Sequence, residues 1–161
     1  MSNSTNAPVR AIVTPLDEDA AKYFLGVRSW LRVAAAESGG SMGLVEQVIP
    51  AGFASPYHIH HREDELWYVI EGTVRFVSGE GSWVANGGGL AFLPRDIPHG
   101  FEVQGTSDAR LLLFTAPAGF ESFVEELSEP TPPTMPPDLE RLVRVAGRYG
   151  LEILGPLPDL G

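Results

Sequence analysis

The chain has 161 residues, of which 43% are hydrophobic and 20% are charged, a composition typical of a single globular domain. Its formal net charge is -10, which disfavours nucleic acid and anionic membranes as partners. The absence of cysteine excludes a disulfide scaffold, a thiolate metal site and a thiol nucleophile. The polar N-terminus lacks an apolar signal segment and no apolar run has the length of a membrane span, so we expect a cytoplasmic protein.

Most of the chain is predicted to form short β-strands. Residues 1–28 are predicted to be an N-terminal extension. Segments bounded by turn residues then predict strands at 29–35, 42–49, 57–60, 66–70, 74–77, 83–85, 90–93, 100–103 and 111–115. Because no long helical pattern separates them, they favour an all-β fold, an antiparallel sandwich or barrel over residues 29–117.

Residues 118–161 are predicted to be a C-terminal helical segment that packs on the barrel or on a second subunit. The apolar face of a first helix, over residues 119–128, consists of Phe120, Phe123, Val124 and Leu127. A proline-rich loop covers residues 129–137, and Asp138 is then predicted to cap a second helix. The buried face predicted for that helix consists of Leu139, Leu142, Val143 and Ala146.

Three of the four histidines lie in the segment 58–61. Alternation along a strand places His58 and His60 on one face and His61 on the other, where we expect it at the surface or at an interface. Two imidazoles on an inward face are costly to bury, and a metal ion would explain them. Glu65 can meet this pair across a hairpin, and His99 can join them if the sheet closes into a barrel. Glu63 and Asp64 are interpreted as solvated turn carboxylates.

The spacing of these residues resembles the two motifs of the cupin superfamily. The first motif matches as Gly52-x5-His58-x-His60-x4-Glu65-x6-Gly72, and the second as Gly88-x5-Pro94-x4-His99. Two positions depart from the family pattern, with Asp96 in place of a glycine and Val103 in place of an asparagine. Aspartate also adopts left-handed turn geometry, and the four ligand positions are intact. The resemblance implies a single antiparallel cupin or jelly-roll β-barrel with short C-terminal helices.

The resemblance also implies that His58, His60, Glu65 and His99 hold one divalent transition metal ion. Three imidazoles and a carboxylate suit nickel, cobalt, manganese, iron, copper or zinc, and the donor set does not choose among them. Glu65 is interpreted as a metal ligand, a catalytic acid–base, or both. Apolar burial would raise the pKa of this carboxyl group toward that of a useful base, whereas metal ligation would lower it.

Aromatic residues on the predicted strands are candidates for the wall of a substrate pocket. Alternation places Trp67 on the same face as Glu65, and Phe101 on the same face as His99. The full set of candidates is Phe53, Tyr57, Trp67, Phe76, Phe101 and Phe114. Aromatic residues at such positions also fill barrel cores, so core packing is the alternative interpretation for each of them.

Residues 56–72, 115–120 and 149–156 resemble bacterial monocupin quercetinases. This resemblance implies a metal-dependent dioxygenase that uses O2 to cleave the heterocyclic ring of a flavonol and releases carbon monoxide, with Glu65 taking the substrate's hydroxyl proton. The alternatives are a metal-dependent polyketide cyclase, an isomerase, and a non-catalytic small-molecule-binding cupin. The free edges of the barrel and the apolar helix face predict a homodimer.

Overall fold

The computed structural model describes residues 8–79 and 81–160. The strands are β1 (Lys22–Phe24), β2 (Val27–Val33), β3 (Gly43–Ile49), β4 (Tyr57–His60), β5 (Asp64–Glu71), β6 (Thr73–Ser78), β7 (Gly81–Asn86), β8 (Leu90–Leu93), β9 (His99–Gln104), β10 (Ala109–Ala116), β11 (Ser128–Glu129) and β12 (Leu151–Gly155). The helices are a 3-10 turn (Glu18–Ala20), α1 (Ala35–Ser38), α2 (Phe120–Leu127) and α3 (Leu139–Arg148). None of the described helices is long and apolar enough to cross a membrane.

The strands form two antiparallel sheets that face each other. One sheet has the order β11-β1-β2-β3-β10-β5-β8, and the other has the order β12-β4-β9-β6-β7. The rings of Trp67 on β5 and Phe101 on β9 lie 5.0 Å apart, so side chains of the two sheets meet in one core. This arrangement is the jelly-roll fold that the sequence predicted, with short helices toward the C-terminus.

Each predicted strand has a counterpart in the structure. The bounds 57–60 and 90–93 are reproduced, and the other predicted ends lie within two residues of the observed ends. Strands β1, β11 and β12 were not predicted; all three are short, and the β1–β11 and β12–β4 pairings join segments that are distant in sequence. The first sheet begins at Lys22, so part of the predicted N-terminal extension joins it; residues 1–7 of that extension lie outside the described residues.

The two C-terminal helices start where the sequence predicted, and Asp138 accepts a hydrogen bond from the Arg141 backbone N–H at 3.0 Å. The predicted face of α2 is buried, but the predicted face of α3 was partly wrong. Leu139 and Val143 are 67% and 54% exposed, whereas Val145 is buried beside the other predicted members. The helix contacts α2 and β12 along the row that contains Leu142, Val145 and Ala146, and that contact selects the buried face.

Candidate metal centre

Four side chains from three strands meet inside the barrel. Strand β4 carries His58 and His60, β5 carries Glu65, and β9 carries His99, whose backbone is paired with that of His58. One nitrogen or oxygen atom from each of the four side chains lies within 4.8 Å of those of the others. His60, Glu65 and His99 are at most 2% exposed. The structure therefore brings together all four residues that the motif spacing selected.

Each imidazole of the cluster is held through its Nδ1 atom. Nδ1 of His58 donates to the Pro56 carbonyl oxygen at 2.7 Å, and Nδ1 of His99 donates to the Ile97 carbonyl oxygen at 3.0 Å. A carbonyl oxygen only accepts, so these bonds place a proton on Nδ1 and direct Nε2 toward the other members of the cluster.

His60 is held differently, by a carboxylate. Its Nδ1 atom lies 3.2 Å from Oε2 of Glu63, a residue that is 1% exposed. The prediction that Glu63 is a solvated turn carboxylate was therefore wrong. Glu63 follows the bend after β4, and its side chain turns inward to contact His60. The local sequence pattern does not distinguish this conformation from a side chain that points into solvent.

The surrounding charges strongly shift the pKa values of the cluster. Burial, followed by the neighbouring His60 and His99, lowers the pKa of His58 to about 4. Burial also lowers the pKa of His60, but the carboxylates of Glu65 and Glu63 outweigh it and raise that pKa to about 9. For Glu65, burial raises the pKa, but His60 and His99 together hold it well below its usual range. Burial therefore acts in the expected direction, but the two histidines outweigh it.

The cluster fits a divalent transition metal ion on two observations. The donor set of three imidazoles and one carboxylate is one that iron, manganese, nickel, cobalt, copper and zinc all accept. Nε2 of His60 is buried and has no hydrogen-bond partner among the described residues, although Oε1 of Glu65 is 3.1 Å away. A buried ring nitrogen without a hydrogen-bond partner is costly, and metal coordination would remove that cost.

A cavity of about 70 Å³ adjoins the cluster and is mostly apolar. His58 and Glu65 belong to both the cluster and the cavity wall. Other barrel residues in the wall are Gln47, Phe53, Trp67 and Phe101. The opposite wall is formed by Leu25 and by four elements that we call the cap, namely β1, α2, α3 and β12. The side chains in this wall are Phe24, Leu25, Phe120, Phe123, Leu142 and Leu151.

Two of the six aromatic pocket candidates face away from the cavity. Tyr57 precedes the inward-facing His58 and therefore points outward, where its hydroxyl donates to the Gly79 carbonyl oxygen at 3.3 Å. Phe114 is half-buried and alternates with Leu113 and Thr115, which are both buried. Their assignment to the pocket was wrong because both residues have the outward parity of their strands.

Phe76 is a core residue and does not line the cavity. It is 2% exposed, and its ring lies 6.5 Å from that of Trp67 and 6.2 Å from that of Phe101. It therefore packs behind the two residues that do reach the cavity. Phe53, Trp67 and Phe101 are the three candidates that the structure places in the cavity wall.

The residues around the ligands include some that the sequence predicted correctly. His61 is exposed and lies 2.7 Å from Asp96 and 2.9 Å from Glu152, as its outward parity indicated. Asp96 has a φ angle of 64°, the left-handed geometry expected at the position of the family's glycine. The interpretation of Asp64 as a solvated turn carboxylate was wrong, since Asp64 is the half-buried first residue of β5 and forms an ion pair with Arg95 that lowers the pKa of its carboxyl group to about 2.

The cap residues of the cavity were not assigned to the site from the sequence. Phe120 is the clearest case, since its ring lies 5.0 Å from that of His60 in an edge-on arrangement. The apolar helical periodicity around Phe120 predicted that it is buried, and only the packing of α2 on the barrel shows what it is buried against.

Comparisons with known proteins agree with this fold. Residues 45–115 match the family model described as Cupin domain. A Cupin 2 conserved barrel domain protein from Salinispora arenicola is 17% identical, with a TM-score of 0.57 over 73% of this chain and 98% of the other. KdgF from Halomonas sp. is 16% identical, with a TM-score of 0.54 over 60% of this chain and 85% of the other.

A third structure, described as a predicted oxalate decarboxylase from Thermotoga maritima, is 20% identical, with a TM-score of 0.52 over 56% of this chain and 79% of the other. No curated protein matches the chain significantly. At these identities the structural likeness concerns the fold, and the domain match covers both motifs that carry the histidines and Glu65. The chain therefore contains a match to the cupin domain at residues 45–115 and has the cupin jelly-roll fold.

Proposed function

We propose that this cupin is a metal-dependent dioxygenase that acts on a flavonol-like aromatic substrate with O2 as the second substrate. The observation that carries the proposal is the shared position of His58 and Glu65, which belong to the candidate metal cluster and also line the apolar cavity. A molecule in this cavity lies against the cluster and against the rings of Phe53, Trp67 and Phe101, which suits a flat aromatic substrate.

In this proposal His58, His60, Glu65 and His99 hold the metal ion. The bound ion would supply Lewis-acid activation of the substrate and, where the metal is redox-active, electron exchange with O2. Glu65 would accept the substrate's hydroxyl proton at a carboxylate oxygen. The indole Nε1 of Trp67 lies 3.4 Å from Oε2 of Glu65 and orients this carboxylate from within the cavity wall. The apolar wall would exclude water from the reacting atoms.

The size of the cavity places a condition on this proposal. Its volume of about 70 Å³ is well below the roughly 300–1,000 Å³ that is usual for small-molecule sites. A three-ring flavonol therefore requires side chains of the cap to move. Leu25 and Leu142 are the candidates for this movement, since both also border a larger outer cavity of about 420 Å³ beneath the proline-rich loop.

The small cavity also favours a second candidate function, a redox-neutral cyclase or isomerase that acts on a smaller substrate. Such an enzyme uses the same four ligands and the metal as a Lewis acid, and it needs no O2. Zinc, which has no redox chemistry, would support this reaction but not the dioxygenase.

The experiment that tests the proposal is oxygen uptake with a panel of flavonols. Protein freed of metal is reloaded separately with nickel, cobalt, manganese, iron and copper, and each form is assayed with and without flavonol. Flavonol-dependent uptake that is lost in Glu65→Gln and kept in His61→Ala supports the dioxygenase, because His61 lies at the surface outside the cluster. No uptake with any of the five metals refutes it.

The same preparations test the alternatives. Anaerobic conversion of a substrate by the zinc-loaded protein supports the cyclase or isomerase. Ligand-induced stabilisation without product supports a binding protein. The homodimer stays a prediction, and light scattering measures it directly.

A further inference from the structure

Glu63 is a buried carboxylate that the proposed reaction does not use. It is 1% exposed, although glutamate is rarely buried to this extent without a partner. Its Oε2 atom lies 3.2 Å from Nδ1 of His60. Its Oε1 atom lies on the side of Gly119, where a Cβ atom would come within 3.2 Å of it. The carboxylate is thus enclosed between a candidate metal ligand and the start of α2.

The three histidines of the cluster differ in what holds Nδ1. For His58 and His99 the acceptor is a neutral carbonyl oxygen two residues earlier in the chain. For His60 it is a carboxylate oxygen from Glu63. A carboxylate that accepts the Nδ1 proton fixes the tautomer and the ring orientation, and it makes the opposite nitrogen a stronger electron donor than a carbonyl oxygen does.

The opposite nitrogen of His60 is the atom that a metal would use. Nε2 of His60 is buried and has no hydrogen-bond partner among the described residues, and it faces Glu65. Phe120 also restrains the imidazole ring of His60, since the two rings pack in a T-shaped arrangement with centroids 5.0 Å apart. His60 is thus restrained by Glu63 at one nitrogen and by the ring of Phe120, and its second nitrogen is available to coordinate a metal.

We propose that Glu63 is a positioning residue of the metal centre, which holds the proton of His60 on Nδ1 and makes Nε2 of His60 the strongest of the three imidazole donors. This inference rests on the metal site of the proposed function and goes beyond it, because it assigns unequal roles to the three histidines. Removing the charge of Glu63 should weaken metal binding 10–100-fold, the usual effect of losing such a partner.

The test is the affinity for cobalt(II), measured by competition with a chelator, together with the visible d–d spectrum of the cobalt protein. The variant is Glu63→Gln, which keeps the shape of the side chain and an acceptor oxygen but removes the charge. The matched control is Glu121→Gln. Glu121 is also 1% exposed and lies beside Gly119, but its oxygens accept from the backbone N–H groups of Ala35 and Gly119 and touch no histidine of the cluster.

We expect Glu63→Gln to bind cobalt 10–100-fold more weakly with shifted d–d bands, and Glu121→Gln to keep the affinity and spectrum of the unmodified protein. An unchanged affinity in Glu63→Gln overturns the inference, as does an equal loss in Glu121→Gln, which would indicate a general effect of burying an amide. If the unmodified protein binds no cobalt, the proposed metal site itself fails, and this outcome is distinct from a failure of the inference alone.

A second measurement does not depend on the folding of any variant. Long-range ¹H–¹⁵N spectra of the zinc-loaded unmodified protein report which nitrogen of each histidine carries the proton. The proposal requires the proton of His60 on Nδ1. A proton on Nε2 with the metal on Nδ1 would overturn it.

Discussion

The metal centre and the cap around its cavity are built in different ways. The four candidate ligands lie between residues 58 and 99, on strands whose alternation directs them inward. The cap comes from both sides of this segment, with β1 before it and α2, α3 and β12 after it. Local strand geometry therefore directs the ligands inward, whereas contacts between distant parts of the chain bring His99 to the cluster and determine the size of the cavity and access to it.

The largest effect that we expect is the loss of bound metal when a ligand of the metal centre is removed, with the cap left unchanged. His58→Ala and His99→Ala should each lose stoichiometric metal, because each removes one of four donors from the cluster. Elemental analysis after reconstitution measures this loss, and His61→Ala, whose imidazole is exposed on the opposite face, should keep one ion per chain. Full metal content in both cluster variants would refute the assignment.

A substitution in the cap should lower the free energy of unfolding and leave the metal content unchanged. Leu142→Ala removes a buried side chain that lines the cavity and should lower the free energy of unfolding by about 2–5 kcal/mol. Leu139→Ala makes the same substitution on the same helix at a residue that is 67% exposed, and should cost less than about 0.5 kcal/mol. Chemical denaturation measures both variants. Loss of metal in Leu142→Ala would show that the cap and the centre are not independent.

Metal bound at the candidate centre, and at no other site, should raise the free energy of unfolding of the chain. A ligand present at about 100 times its dissociation constant adds about 2.7 kcal/mol to the free energy of unfolding. Thermal unfolding before and after addition of a chelator should therefore show a clear increase in Tm for the metal-loaded protein. His99→Ala should show no such increase, and an equal increase in that variant would place the stabilising ion elsewhere.

The smallest effect concerns the start of α3. Asp138 accepts from the Arg141 backbone N–H at 3.0 Å, so Asp138→Ala should cost about 1 kcal/mol. Asp159→Ala, near the C-terminus outside the described helices, is a control that removes a carboxylate without removing this cap. Denaturant midpoints compare the two variants, and an Asp138→Ala protein as stable as the control would exclude a stabilising role for the cap hydrogen bond.

Much of the fold and the ligand set was predictable because both depend on short-range patterns. Turn residues bound the strands, and a period of two directs His58 and His60 to the same side. Asp96 could be accepted at a glycine position because aspartate tolerates a positive φ angle. The same parity predicted Trp67 and Phe101 at the cavity and His61 at the surface.

The remaining residues of the site were not predictable because their roles depend on contacts with distant parts of the chain. Phe76 is buried, and strand parity does not show whether it lines the cavity or packs in the core behind it, whereas the outward parity of Tyr57 and Phe114 is a local feature. Glu63 occupies a polar segment that is typical of an exposed turn, yet its side chain is enclosed by His60 and the start of α2.

The sequence by itself determined the donor atoms of the candidate centre, because the spacing of His58, His60 and Glu65 and the strand alternation act over only a few residues. Only the tertiary structure decided that His99 closes the cluster, that Glu63 holds His60, and that the cap restricts the cavity. The physical reason is that these three features arise from packing between segments far apart in the chain, and their free energy is gained only when the barrel and the C-terminal helices come together.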